Sequence, residues 1–215
     1  MPRNRQIIMK RISLLNSAHN VIRNRLKPGD SAIDATVGNG HDTLFLAQQV
    51  APSGHVYGFD IQQAAIDATR DKLACKTPLS DCLSLIHASH ANMKENIPAQ
   101  LHGKINAIMF NLGYLPGGDK SVITLTDSTL AALTAASQIL AVNGIITLLA
   151  YPGHSGGDTE TDHVANWCEQ LDRQRFAVNI FYSAEHKDSA PRLFVIDKRV
   201  AEYQENPENC GYFNK

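Results

Sequence analysis

A short polar loop between two predicted elements has the residue types that a nucleotide-type ligand requires. It reads Asp34-Ala-Thr-Val-Gly-Asn-Gly-His-Asp-Thr43, follows an apolar run and opens a predicted helix. The glycines at positions 38 and 40 let the backbone approach a ligand closely. Asp60 lies 20 residues after Gly40, at the end of the next apolar run, where a carboxylate can accept hydrogen bonds from two ribose hydroxyls. This spacing predicts a nucleoside-containing cofactor, although Asp60 could also be a solvated residue at a strand end.

The glycine spacing separates the possible cofactors. A dinucleotide fingerprint needs a third glycine, but Thr43 stands at that position, and the Gly-Lys-Ser/Thr end of a Walker loop is absent. The remaining pattern, D-x-T-x-G-x-G, is similar to the D/E-x-G-x-G-x-G loop of class I S-adenosylmethionine-dependent methyltransferases, with Thr36 in place of the first glycine. S-adenosyl-L-methionine is therefore the predicted cofactor.

Two histidines lie at the end of the third predicted strand, in the sequence His87-Ala-Ser-His90. They have no third ligand in register, so we predict no metal site. We interpret Ser89 and His90 as contacts on the adenine side of the cofactor. A structural histidine with satisfied hydrogen bonds is an equally good interpretation of His90.

The loop after the fourth predicted strand could hold a nitrogen acceptor. It begins Asn111-Leu-Gly-Tyr114, at the place where many N-methyltransferases have [D/N]-P-P-[Y/F]. The carbonyl oxygen of the Asn111 side chain can hold the hydrogens of an amine and direct its lone pair, while the ring of Tyr114 stacks on an attached base. No Pro-Cys nucleophile occurs, so methylation at pyrimidine C5 is disfavoured. The alternative is a simple turn rich in glycine and proline.

The elements that must position these residues alternate between strands and helices. Apolar, β-branched runs predict strands and helical periodicity predicts helices. The last two strands are separated by too few residues for a helical crossover and should pair antiparallel. We therefore predict an α/β fold with a doubly wound, mostly parallel seven-stranded sheet and a C-terminal antiparallel hairpin, Rossmann-like and of the class I methyltransferase type. The predicted strands are Ser31–Ala35, His55–Ile61, Leu83–His87, Ile105–Phe110, Gly144–Ala150, Ala177–Tyr182 and Arg192–Asp197, and the predicted helices are Leu14–Leu26, His41–Val50, Gln62–Ala74, Ala91–Ile97, Thr126–Ala141 and Thr159–Leu171.

Composition limits the class of protein. The 215 residues are 43% hydrophobic and 19% charged, which predicts one globular domain spanning residues 1–215. Four cysteines without a C-x-x-C pair fit a reducing cytoplasm, and no apolar stretch is long enough for a signal peptide or membrane span. The net charge is −1, but residues 1–29 contain seven Lys or Arg and no Asp or Glu. This basic N-terminal leader could follow RNA phosphates, or it could be a solvated helix face.

The motifs together resemble one family. DATVGNGHDTLFLA, FDIQ, SHANM, FNLGYLPGGDK and YPGHSGGDTE are similar to segments of the small class I methyltransferases labelled putative rRNA methylases. That resemblance implies methylation of the 5-aminomethyl group of 2-thiouridine at the tRNA wobble position, and a homodimer. It implies a cofactor site formed by Asp34, Gly38, Asn39, Gly40, Asp42, Thr43, Asp60, Gln62, Ser89 and His90, and an acceptor side formed by Asn111, Tyr114, Gly117, Gly118 and His154.

Several alternatives stay open from the sequence. His154 could remove a proton from the amine or could only shape its loop. Asp42 could cap the first helix after the glycine loop instead of contacting cofactor. The acceptor could be rRNA, or it could be a small amine metabolite, and the balanced net charge favours the small amine. The alternative from another class of protein is a non-catalytic module that binds the cofactor or RNA.

Overall fold

Seven strands form one mixed sheet in the computed structural model, which describes residues 13–74, 79–113, 123–153, 156–183 and 189–200. The strand order is β3-β2-β1-β4-β5-β7-β6. Strands β1 to β5 are parallel, and β7 is antiparallel to both β5 and β6. The predicted fold is confirmed. The strands are β1 Ser31–Asp34, β2 His55–Asp60, β3 Leu83–His87, β4 Ile105–Asn111, β5 Leu140–Ala150, β6 Phe176–Tyr182 and β7 Arg192–Lys198.

Helices cover both faces of the sheet. Successive residues of a strand point to opposite faces, so neighbouring residues of one strand pack against different helices. In β4, Ala107 belongs to the apolar cluster that includes α1 and α2, whereas Ile108 belongs to the cluster that includes α4, α5 and α6. The sheet is therefore the middle of three layers. The helices are α1 Leu14–Arg23, α2 His41–Val50, α3 Gln63–Ala74, α4 Met93–Asn96, α5 Thr126–Ile139 and α6 Gly157–Glu169.

Most predicted boundaries agree with the structure within two residues, but three elements differ in a more substantial way. Helix α1 ends at Arg23, although Leu26 still packs in the core. The helix predicted at 91–97 is a 3₁₀ turn followed by the single turn of α4. Strand β5 begins at Leu140, ahead of the predicted Gly144, because the chain passes directly from α5 into an irregular strand start. Its irregularity includes a left-handed φ of 62° at Asn143.

The sheet order fixes where a ligand can lie. The strand order changes direction between β1 and β4, so the connections that leave these two strands diverge at their carboxyl ends. The glycine loop follows β1, and Asn111 ends β4. A crevice between them is the expected ligand site of a doubly wound sheet.

Candidate cofactor site

A large cavity opens at the carboxyl ends of the parallel strands. Its volume is about 870 Å³, and it is lined mainly by residues at or just after the ends of β1, β2, β3, β4 and β5. Eight of the predicted site residues line it, whereas Asp34, Gly40 and Thr43 do not. Tyr114, Gly117, Gly118 and His154 lie outside the described residues. The eight that line the cavity are Gly38, Asn39, Asp42, Asp60, Gln62, Ser89, His90 and Asn111.

Asp34 organises the glycine loop from behind the cavity. Its carboxylate accepts hydrogen bonds from the Thr36 amide at 3.1 Å and from the Thr43 hydroxyl at 2.6 Å, and the residue is 1% exposed. Burial and the nearby Asp42 carboxylate raise the pKa of Asp34 to about 7. Asp34 and Thr43 therefore shape the loop from below.

A glycine is required at position 40 because helix α3 approaches the backbone closely there. Gly40 has a φ of 70° and is the N-cap of α2. A Cβ at this position would lie 2.5 Å from the Oγ1 of Thr69 on α3. Lys72, one turn further along α3, donates a hydrogen bond to the carbonyl of Asn39. The glycine loop is thus held between two helices.

Asp60 joins the end of β2 to the glycine loop. One carboxylate oxygen accepts from the amide of Gly38 at 2.8 Å, and the other accepts from the amide of Gln62 at 2.8 Å. Each oxygen can accept a further hydrogen bond, because a carboxylate offers about four acceptor positions. The geometry therefore leaves Asp60 able to bind ribose hydroxyls while it fixes the loop.

His90 gives a test of whether the cavity fits a nucleoside. Its Nδ1 lies 3.1 Å from the carbonyl oxygen of Ala35, and its buried Nε2 has no hydrogen-bond partner in the described part of the chain. Burial lowers the pKa of His90, so the ring is neutral and Nε2 is an acceptor when Nδ1 donates to Ala35. An unpaired buried acceptor costs about 1–3 kcal/mol, which an N–H group of a ligand would offset. The Ser89 hydroxyl accepts from the Ala91 amide.

Thr36 links the glycine loop to the acceptor side. Its hydroxyl accepts a hydrogen bond from the amide of Asn111 at 2.8 Å. In the sequence alone, Thr36 is only a departure from the glycine pattern. A glycine at position 36 could not accept this hydrogen bond. The threonine that interrupts the glycine pattern was therefore the signal that this side chain has a role.

A buried carboxylate links the segment after Asn111 to helices α5 and α6. Glu160, in the first turn of α6, is 3% exposed and accepts from the hydroxyls of Thr124 at 2.8 Å and Thr129 at 2.7 Å. Thr124 also exchanges hydrogen bonds with the backbone of Gly113. No local pattern marked this network, because its members are up to 47 positions apart in the chain. It fixes the chain immediately after Asn111 against α5 and α6.

Asp42 pairs with a histidine that the sequence analysis did not single out. The Nε2 of His19 on α1 lies 2.6 Å from the Oδ1 of Asp42. The N-cap of α2 is Gly40, so Asp42 lies within the first turn and does not cap the helix. The pair joins α1, which belongs to the basic N-terminal leader, to the wall of the cavity.

Two features are absent from the described ranges. Within them, no three His, Cys, Asp or Glu side chains gather closely enough to hold a metal ion. Among the helices that the structure describes, none is long and apolar enough to span a membrane.

The fold and the crevice define the class I methyltransferase architecture. Two similar solved structures are a putative rRNA methylase from Clostridium thermocellum and a putative methyltransferase from Streptococcus mutans in complex with SAH. The first is 38% identical with a TM-score of 0.81 and covers 89% of this chain and 100% of its own. The second is 33% identical with a TM-score of 0.76 and covers 89% and 99%.

Residues 56–197 match the family model described as "Putative rRNA methylase", and the chain belongs to this family. A relative from Arabidopsis thaliana is the chloroplastic tRNA (mnm(5)s(2)U34)-methyltransferase, which is 43% identical over 154 residues. The match covers 68% of this chain and 56% of that relative, so the chain spans little more than half of its length.

Proposed function

We propose that this protein is an S-adenosylmethionine-dependent N-methyltransferase that methylates the 5-aminomethyl group of (2-thio)uridine at the tRNA wobble position. The observation that carries the proposal is the single cavity that extends from Asp60 past the glycine loop to Asn111. It has room for a nucleoside cofactor at one end and an acceptor at the other. The name of the Arabidopsis relative supports the choice of acceptor.

The cofactor end of the cavity uses three strand ends. We assign ribose binding to Asp60, the adenine side to Ser89 and His90, and close backbone contact to the loop that Gly38 and Gly40 form. Asn39, Asp42 and Gln62 complete the lining, while Asp34 and Thr43 support it from behind. When bound, the cofactor supplies a methyl group made electrophilic by its sulfonium.

The acceptor end is assigned to Asn111 and to the residues after it. Transfer to nitrogen requires a neutral amine, because a protonated amine has no free lone pair. The Asn111 carbonyl oxygen accepts the amine hydrogens and so directs that lone pair into the cavity. On sequence grounds alone, Tyr114 stacks on the base, Gly117 and Gly118 let the backbone approach it, and His154 accepts the proton that the nitrogen releases.

tRNA is the proposed partner, and the basic leader is its proposed contact surface. The leader cations in the described residues, Arg23, Arg25 and Lys27, are all exposed. Arg25 is paired with Asp197, and Arg23 lies over the ring of Phe45. Binding that depends on such cations should weaken steeply as salt rises, whereas binding of a small amine should barely change.

We also propose a homodimer in the cytoplasm. The edge strand β6 exposes the large side chains of Ile180, Phe181 and Tyr182, which a second copy could cover. The buried free thiols of Cys82 and Cys168 fit a reducing compartment. Sedimentation velocity of the wild type and of Phe181→Glu tests the dimer, which the charge should dissociate; a monomeric wild type would contradict it.

Label transfer tests the activity. The protein is incubated with methyl-labelled cofactor and with tRNA that has the unmethylated 5-aminomethyl group, beside the same tRNA without that group. We expect label only in the first RNA. If the cofactor binds but no label is transferred, the acceptor assignment is wrong; transfer to rRNA or to a free amine would identify the alternatives. A non-catalytic module would transfer no label to any acceptor.

A further inference from the structure

A hydrogen-bonded pair connects the leader helix to the wall of the cavity. His19 on α1 contacts Asp42 on α2 with Nε2 2.6 Å from Oδ1. The imidazole also stacks on the ring of Phe45, with centroids 3.9 Å apart and an interplanar angle of 7°. Two independent contacts thus fix the orientation of the imidazole. The Asp42 carboxylate is in turn held at one oxygen.

Asp42 is held by a different part of the fold from Asp60, the proposed ribose contact. In the described residues, Asp42 and Asp60 are the two carboxylates that line the cavity. Asp60 ends β2, whereas Asp42 is paired with His19 on α1, a helix that packs against β5 and β7. Burial and, to a smaller extent, the Asp42 carboxylate raise the pKa of Tyr151, which follows β5. Because β1 and β4 separate β2 from β5 in the sheet, the two carboxylates serve different parts of the cavity.

The chemistry of the cofactor matches this separation. A nucleoside with its ribose at Asp60 must extend its amino-acid end along the remaining cavity, and that end carries an ammonium group. A buried carboxylate is stable in its charged form only when it is paired or hydrogen-bonded. His19 occupies one oxygen of Asp42, and the second oxygen can accept a hydrogen bond from a cation.

We propose that His19 is a positioning residue that holds the Asp42 carboxylate in place to bind the ammonium group of the cofactor. This inference rests on the proposed function, because it names a contact within the same site. The competing explanation is that the pair only docks α1 onto α2. In that case, loss of His19 would affect any ligand of the cavity equally.

A ligand series separates the two explanations. Calorimetry measures binding of three compounds to the wild type, His19→Ala, His19→Gln and Asp42→Asn. S-adenosylhomocysteine carries the ammonium and carboxylate, its decarboxylated analogue keeps only the ammonium, and 5′-methylthioadenosine lacks both. We expect His19→Ala and Asp42→Asn to weaken the first two about tenfold. Binding of 5′-methylthioadenosine should stay within about twofold of the wild type, since it makes no contact with Asp42.

Rescue and control variants complete the experiment. Gln keeps an N–H donor at a position similar to Nε2, so His19→Gln should recover most of the lost affinity. His163→Ala removes an exposed histidine from α6 and should bind all three compounds like the wild type. An equal loss for all three compounds in His19→Ala, or no loss for any, would overturn the positioning role while leaving the proposed function intact. A wild type that binds none of the compounds would overturn the proposed function itself.

Discussion

Replacing Asp60 with Ala removes the carboxylate on which the proposed cofactor end depends. In the structure this side chain accepts two backbone hydrogen bonds, from Gly38 and from Gln62, each 2.8 Å long. Two such bonds contribute about 1–3 kcal/mol to the free energy of unfolding. Loss of hydrogen bonds between a charged group and the ribose weakens cofactor binding by about 1.5–3 kcal/mol, or roughly 10- to 150-fold in the dissociation constant.

Calorimetric titration with S-adenosylhomocysteine measures the dissociation constant, and urea denaturation measures the free energy of unfolding. Asp67→Ala is the matched control, because it removes an exposed carboxylate from the neighbouring helix α3 that does not line the cavity. Its dissociation constant should equal that of the wild type. The assignment of Asp60 is refuted if Asp60→Ala also binds with wild-type affinity, or if both variants lose affinity equally.

Asn111, Gly40 and Asp34 each give a further prediction. Asn111→Ala should lower turnover in the label-transfer assay much more than cofactor affinity, because we assign its side chain to the acceptor; a loss confined to cofactor affinity would reverse the assignment. Gly40→Ala should lower the free energy of unfolding by at least about 2 kcal/mol in urea denaturation, since a left-handed φ and a clash with Thr69 add together. Gly40→Ala combined with Thr69→Ala should recover part of the loss, and a change below about 0.5 kcal/mol would contradict the clash. The positively charged cofactor should bind more tightly as pH rises toward 7, because the pKa of Asp34 is about 7 and its ionised form attracts the cation. Calorimetry between about pH 5.5 and 7 measures this, with a slope of at most about tenfold per pH unit, and Asp34→Asn should flatten it.

Local patterns were sufficient to predict the sheet and to bring Asp60 together with the glycine loop. Apolar runs are strong signals in a parallel sheet, because its strands are buried on both faces. The spacing of Gly38, Gly40 and Asp60 was informative because a strand, a turn and a helix follow one another in a fixed geometry there. Asp60 and the glycine loop are in hydrogen-bonding contact in the structure, as that geometry requires.

The remaining parts of the site depend on contacts that no local pattern records. His19 and Asp42 are 23 residues apart, and Thr36 and Asn111 are 75 residues apart. Each pair meets only after the sheet has brought distant segments together. Asp34 was predicted to line the cofactor site, yet it lies beneath the loop, because sequence spacing gives the position of a residue but not the direction of its side chain.

The loop after β1 connects both ends of the cavity. Its backbone at Gly38 bonds to Asp60, its Ala35 carbonyl lies at the imidazole of His90, and its Thr36 hydroxyl bonds to the amide of Asn111. The carboxyl ends of β2, β3 and β4 are therefore all positioned relative to the loop after β1. Because transfer between two bound molecules depends on their alignment, a shift of this loop would affect cofactor binding and acceptor placement together. Removing the Thr36 hydroxyl should therefore disturb turnover while leaving Asp60, the proposed ribose contact, in place.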